Sequence, residues 1–292
     1  MTARTPDDFD ASPRLCRVAL LPDCHVQPGR GSEMPARPAR RLYGAARWLL
    51  ETYVGRFASM GVDAIFLLGD TLDPASPAEL AWLKPLVDNS AVPIHAIAGN
   101  HEVYGSISLE EFHLALGLPA HGNHVVTVKG VPFLMLATPH MDAFAPGSAA
   151  YHWLETTLAN SHPGQDLFCC AHLSLVLHPC VQGRNNDGTQ VLWAADDLLA
   201  LLRRHPQVRA WIAGHKNVPS KVIRDGVMHL LSPQLIQTPC AYRLLDIHQN
   251  GVRSRVHGIE EQDIAKWSDR AQGSAFAERQ GREEDRNFRW EW

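Results

Sequence analysis

Five short groups of residues carry donor atoms of the kind that hold divalent metal ions: Asp23 with His25, Asp70 with Asp73, Asn100 with His101, His172, and His215. Carboxylate, imidazole and amide oxygen together suit borderline ions such as manganese, iron, zinc or cobalt. A carboxylate can bridge two such ions. Two ions about 3.5–4 Å apart clamp the attacking and leaving oxygens of an in-line displacement and lower the pKa of a bound water. Phosphate esters suit that chemistry, because their transition state spreads negative charge over oxygens that cations neutralise. Taken singly, each group has an ordinary explanation. Gly69-Asp70 and Gly214-His215 are turn chemistry, Gly99-Asn100-His101-Glu102 could enter a helix cap, and His172 could be a satisfied buried histidine.

Placement separates the two explanations. Apolar runs at 16–21, 64–68, 93–98, 167–170 and 208–213 read as strands, and each of the five groups follows one of them. In an open α/β sheet, ligands bind at the carboxyl ends of the strands. Between the strands, helical spacing appears at 42–60, 78–84, 110–116, 149–159 and 196–204, with Pro85 expected to end or kink the second of these. Residues 125–128 and 131–137 read as a hairpin across Lys129-Gly130. The later chain turns to β, at 221–223, 228–231, 242–247 and 252–256. This order implies a sheet with helices outside and a second sheet packed on the first. Residues 1–14 read as a flexible polar segment, 15–259 as the domain, and 260–292 as a charged tail, helical or partly disordered, ending in Phe288, Trp290 and Trp292.

The pattern resembles the calcineurin-like metallophosphoesterase superfamily, whose motifs run D-x-H, G-D-x-x-D, G-N-H-D/E, a lone H, and G-H-x-H. Here they stand as Asp23-Cys24-His25, Gly69-Asp70-Thr71-Leu72-Asp73, Gly99-Asn100-His101-Glu102, His172, and Gly214-His215-Lys216-Asn217. A helix with Trp153-Leu154-Glu155 also fits. The resemblance runs from about residue 17 to 247 and leaves the tail uncovered. It implies a four-layer α/β/β/α sandwich of two packed mixed sheets with helices outside. It implies Asp23 and His25 on a first metal, Asp70 bridging, and Asn100, His172 and His215 on a second. A bridging hydroxide would attack phosphorus, and His101, oriented by Asp73, would stabilise or protonate the leaving oxygen. One position departs: the family's last histidine is Asn217. An amide oxygen is a weaker donor to soft-leaning ions, so the first of the two divalent metal sites is expected to bind weakly or to favour manganese or magnesium.

Composition bounds the remaining readings. Net charge is −4, which gives no general field for nucleic acid, although Arg37, Arg40 and Arg41 offer a local basic stretch. The six cysteines contain no CxxC pair, the N-terminus has no signal-peptide core, and no run is long enough to span a bilayer. These features point to a cytoplasmic protein with reduced thiols and no membrane partner, and the resemblance implies a phosphorylated small-molecule substrate. A nuclease of the same superfamily is the less favoured enzyme reading. A catalytically silent scaffold is the main rival, supported by Asn217 and opposed by the presence of both His101 and Asp73. A β-lactamase-like metallohydrolase would need an H-x-H-x-D-H cluster, which the sequence lacks. Two long loops, 27–37 and 178–190, are candidates to shape the pocket, the second with Arg184, Asn185 and Asn186.

Overall fold

Alternation along strand β1 (Arg14–Leu21) sets the layering. Cys16, Val18 and Leu20 point into one apolar cluster, while Ala19 and Leu21 point into another. The computed structural model describes residues 12–27, 38–179 and 191–292. β1 pairs in parallel with β2 (Ala64–Leu68), which pairs in parallel with β3 (Ile94–Ile97). On its other side β1 pairs antiparallel with β10 (Ala241–His248), followed by β11 (Gly251–Gly258) and β12 (Phe288–Glu291).

The second sheet runs β4 (His124–Val128), β5 (Val131–Leu136), β6 (Leu167–Ala171), β7 (Val208–Ala213), β9 (Val227–Leu231) and β8 (Ser220–Arg224). β5, β6, β7 and β9 are parallel, which suits their fully or largely buried runs. Phe66, Phe133, Phe168 and Met228 fill the space between the sheets. Helices α1 (Ala46–Phe57), α2 (Pro77–Asp88) and α3 (Leu109–Ala115) cover the first sheet, and α4 (Ala149–Ala159) and α5 (Ala195–Arg203) the second. The result is the expected four-layer α/β/β/α sandwich.

One element differs from the sequence reading, and the tail, helical as expected, adds a strand to it. Helix α2 runs through Pro85 to Asp88. Pro85 deprives the Ala81 carbonyl of its partner, but both residues are exposed, so water can take that place. Residues beyond 260 form α6 (Gln262–Gln272), α7 (Phe276–Gln280), α8 (Glu283–Arg286) and the edge strand β12. Phe288, Trp290 and Trp292 pack against the core between the sheets. The fully buried Arg243 guanidinium donates to the Asp285 and Leu231 carbonyls at 3.1 Å each, tying the tail to both sheets. Among the described residues, no helix is long and apolar enough to cross a membrane. The loop positions 28–37 and 180–190, with Arg37, Arg184, Asn185 and Asn186, lie outside the described residues.

Candidate metal centre

The parallel register of β1, β2 and β3 brings their carboxyl ends to one rim, and β6 and β7 do the same in the facing sheet. The chain must then turn its side chains inward at once. It does so with left-handed backbone at Asp23, His25, Asp70, His215 and Asn217, whose φ values lie between 46° and 65°. These are five of the eight described non-glycine residues in that region. Such backbone costs of order 1 kcal/mol or more per residue, and its concentration at one rim marks a constrained site. Gly99 is required there as well, since a Cβ would strike Asp70 Oδ1 and come within 2.9 Å of the His172 ring.

Three groups of donors result, each with ligand atoms within 4.8 Å of one another: Asp23, His25 and Asp70; Asp70, His172 and His215; and His25, Asp73 and His101. The first two share Asp70. Its Oδ2 lies 3.1 Å from His172 Nε2, 3.8 Å from His101 Nε2 and 4.0 Å from His25 Nε2. Its Oδ1 accepts the His101 backbone N–H at 2.8 Å. Asp23 Oδ2 accepts the His215 N–H at 2.8 Å, joining the ends of β1 and β7. Asn100 Oδ1 lies 3.1 Å from His172 Nε2. Asp73 stands between two rings, with Oδ2 3.0 Å from His25 Nδ1 and Oδ1 2.7 Å from His101 Nδ1.

The donor set fits a cation. His172 Nδ1 lies 2.8 Å from the Leu68 carbonyl, which can only accept, so Nδ1 carries the proton. The Nε2 of a neutral ring is then a lone pair, yet it faces oxygens of both Asp70 and Asn100. Acceptors meeting at one buried point need a proton or a metal ion between them. Asp23 Oδ1, His25 Nε2 and Asn217 Oδ1 are likewise buried without a hydrogen-bond partner. The Asn217 amide is oriented, because its Nδ2 donates to the His215 carbonyl at 3.0 Å.

Electrostatics follow from this crowding. Burial alone would raise the Asp70 carboxyl, but a proton on His172, which Asp70 itself draws up to about 9, together with His25 and His101, outweighs burial and holds the group well below the usual range. Asp73 is held low in the same way by His101 and His25. Burial and the Arg41 charge oppose protonation of His25, and Asp23 and Asp73 overcome them, raising it. His215 is pushed down to about 3 by burial and by His172.

Glu102 has a role that its place in a motif did not disclose. Its buried carboxylate accepts the backbone N–H groups of Asp70 at 2.9 Å, Thr71 at 2.7 Å, Leu72 at 3.0 Å and Gly99 at 2.7 Å. It thereby staples the turn after β2 to the turn after β3. Burial and the Asp70 charge push the Glu102 carboxyl up to about 7 against the pull of those amides. Thr138 Oγ1 fixes the opposite wall, accepting the N–H of His172 at 2.9 Å and of Leu173 at 3.0 Å. Two aromatics flank the rim: Tyr43 lies edge-on to His25 at 6.2 Å between centroids, and Tyr104, 66% exposed, lies edge-on to His101 at 5.5 Å. His140 is exposed and belongs to none of the three donor groups.

The sequence matches the calcineurin-like phosphoesterase family over residues 16–219. No functionally curated protein matches it. Among solved structures, a dimetal phosphatase from Danio rerio is 19% identical, with a TM-score of 0.64 over 84% of this chain and 97% of that one. A purple acid phosphatase from yellow lupin (Lupinus luteus) seeds is 15% identical, with a TM-score of 0.55 over 83% of this chain and 51% of that one. GAP50, the anchor in the inner membrane complex of Plasmodium, is 13% identical, with a TM-score of 0.52 over 85% and 86%. At these identities the likeness is one of fold. Metal-dependent phosphoester hydrolysis is the general activity that the family match supports. With the match spanning well over half of its 292 residues, the chain belongs to the calcineurin-like phosphoesterase family.

Proposed function

We propose that the protein hydrolyses a phosphate mono- or diester by in-line attack of water, using two divalent metal ions held by its own side chains. The convergence of His172, His101 and His25 Nε2 within 3.1–4.0 Å of Asp70 Oδ2 carries this reading. Asp23, His25 and Asp70, with Asn217, would hold the first ion. Asp70, Asn100, His172 and His215 would hold the second. When bound, the two ions supply positive charge to the phosphoryl oxygens and lower the pKa of the attacking water.

The chain's own residues do the rest. His101, 25% exposed at its side chain, turns Nε2 toward Asp70 and is placed to give a proton to the leaving oxygen. Asp73 holds His101 from behind and orients the His25 ring with its other oxygen, so one carboxylate serves the proton donor and a metal ligand together. The substrate is a phosphorylated small molecule, since the chain's net charge of −4 offers no general field for nucleic acid. The described cysteines are all buried and free, which suits the reducing cytoplasm.

Purified protein supplied with manganese, iron, zinc or cobalt should turn over an aryl phosphate or a bis-aryl phosphodiester, and Asp70→Asn should abolish that turnover. Asn217 favours one other reading, a metal-poor scaffold that binds a partner without chemistry. Absence of turnover with both substrates across all four metals would select it.

A further inference from the structure

Arg41 sits half-buried next to Tyr43, the residue that edges His25. Only neutral groups hold it. Its Nε donates to Gln237 Oε1 at 3.3 Å and its Nη1 to the Tyr43 hydroxyl at 3.3 Å. Among the described residues no carboxylate forms an ion pair with it, and Nη2 meets no acceptor. A half-buried guanidinium with an unused edge and no counter-charge can pair with an arriving anion. Its flat fork suits phosphate or carboxylate oxygens.

The residues behind Arg41 are arranged to keep it in place. Arg41 and Gln237 form an isolated antiparallel bridge, and the Leu42 N–H donates to the Ile236 carbonyl at 2.7 Å. Gln237 in turn receives Gln234 Nε2 at 2.8 Å and donates to Gln272 Oε1 at 3.4 Å. Helix α6 clamps the preceding residue. Ser268 Oγ donates to the Arg40 carbonyl at 2.7 Å, and Gln272 Nε2 donates to it at 3.2 Å. Gln234, Gln237, Ser268 and Gln272 are all buried. The C-terminal segment, beyond the family match, therefore reaches the rim of the metal centre through one polar network.

We propose that Arg41 is a specificity-determining anchor for a second anionic group on the substrate, and that helix α6 is the element that positions it. This rests on the phosphoesterase reading. Arg41 donates to the Tyr43 hydroxyl, the Tyr43 ring lies edge-on to His25, and the Arg41 charge is felt at His25, so the guanidinium borders the His25 side of the metal centre. An anion paired with it there would be a group of the substrate beside the phosphoryl group being cleaved. The favoured substrates are then phosphate esters whose leaving group itself bears a phosphate or a carboxylate.

The test compares phenyl phosphate, 4-carboxyphenyl phosphate and 1,4-phenylene bisphosphate with the manganese-loaded full-length protein. The readout is the ratio of kcat/KM for each doubly anionic ester to that for phenyl phosphate. The wild type should show a ratio of about ten, carried by KM, with at least one of the two esters, and which ester shows it identifies the second group. Arg41→Gln should bring the ratio to about one, Arg41→Lys should restore part of it, and Gln272→Ala should lower it through a higher KM for the doubly anionic ester while thermal unfolding stays cooperative. A wild-type ratio of one, or an unchanged ratio in Arg41→Gln, overturns the anchor while leaving the phosphoesterase reading intact. Failure of the wild type to hydrolyse any of the three esters with manganese, iron, zinc or cobalt overturns both.

Discussion

Glu102 accepts the backbone N–H of Asp70 at 2.9 Å, so the residue at the heart of the metal centre is held in its left-handed conformation by a buried carboxylate. The same carboxylate takes three further amides. Glu102→Gln keeps the shape but replaces one oxygen by an amide nitrogen. Two backbone donors would then face a third donor. Losing two charge-assisted hydrogen bonds at a buried site should cost roughly 3 kcal/mol or more. Urea denaturation would measure that, and calorimetric metal titration should show weaker binding because Asp70 is released. A variant with unchanged stability and metal affinity would show that the staple is dispensable.

Asp73 touches both His25 and His101, so its substitution should have two separable effects. Asp73→Asn should weaken first-site metal binding by about 10–100-fold, the usual effect of removing a group that orients a ligand. It should also slow turnover. His101→Gln should slow turnover by about 10²–10⁴-fold, the range for losing a general acid, while metal content stays at the wild-type value. Elemental analysis beside single-turnover kinetics separates the two. Equal metal loss in both variants would remove His101 from the role of proton donor.

Asn217 is buried, and its amide is turned by its bond to the His215 carbonyl so that Oδ1 is left without a partner. A neutral oxygen at this point should hold a soft-leaning ion less firmly than an imidazole would. Asn217→His should raise the metal content of the purified protein and favour zinc over manganese at the first site. If the variant gains neither metal nor affinity, Asn217 does not limit the site.

The strand-end groups were legible because two local signals coincide in them: an apolar run that ends, and a polar donor within a few residues of its end. Asp23, Asp70, Asn100, His172 and His215 need nothing more to be placed on one rim once the strands are parallel. Glu102 was visible as a residue but not as a staple, because three of its four partners are backbone amides 30 to 32 residues earlier in the chain. Arg41 was visible only as part of a basic stretch, since its orientation depends on Gln237 and on Gln272 far along the chain. Strand β12 escaped notice because Phe288 to Glu291 alternate over just four residues, and its pairing with β11 is decided by tertiary contact.

His178 and His229 lie buried and belong to none of the three donor groups, and their neutrality is a condition of folding. His178 Nδ1 is 3.0 Å from Ser220 Oγ, while neither nitrogen of His229 has a partner. Burial, with His229 as neighbour, pushes His178 down to about 3, and burial, with Arg224, pushes His229 down to about 4. An unfolded histidine titrates near 6.5. Between those values the unfolded chain binds protons that the native state refuses, so stability must fall as pH falls from about 6.5, by about 1.4 kcal/mol per pH unit for each group. Above that pH the two histidines contribute no slope. His229→Leu places an apolar side chain between Val227 and Leu231, which already face the apolar cluster there. Urea melts from pH 8 to 5 should then show a shallower acid slope for the variant than for the wild type, with stability equal or greater at pH 5. Parallel slopes would mean that His229 is protonated in the native state or reached by water, contrary to its burial.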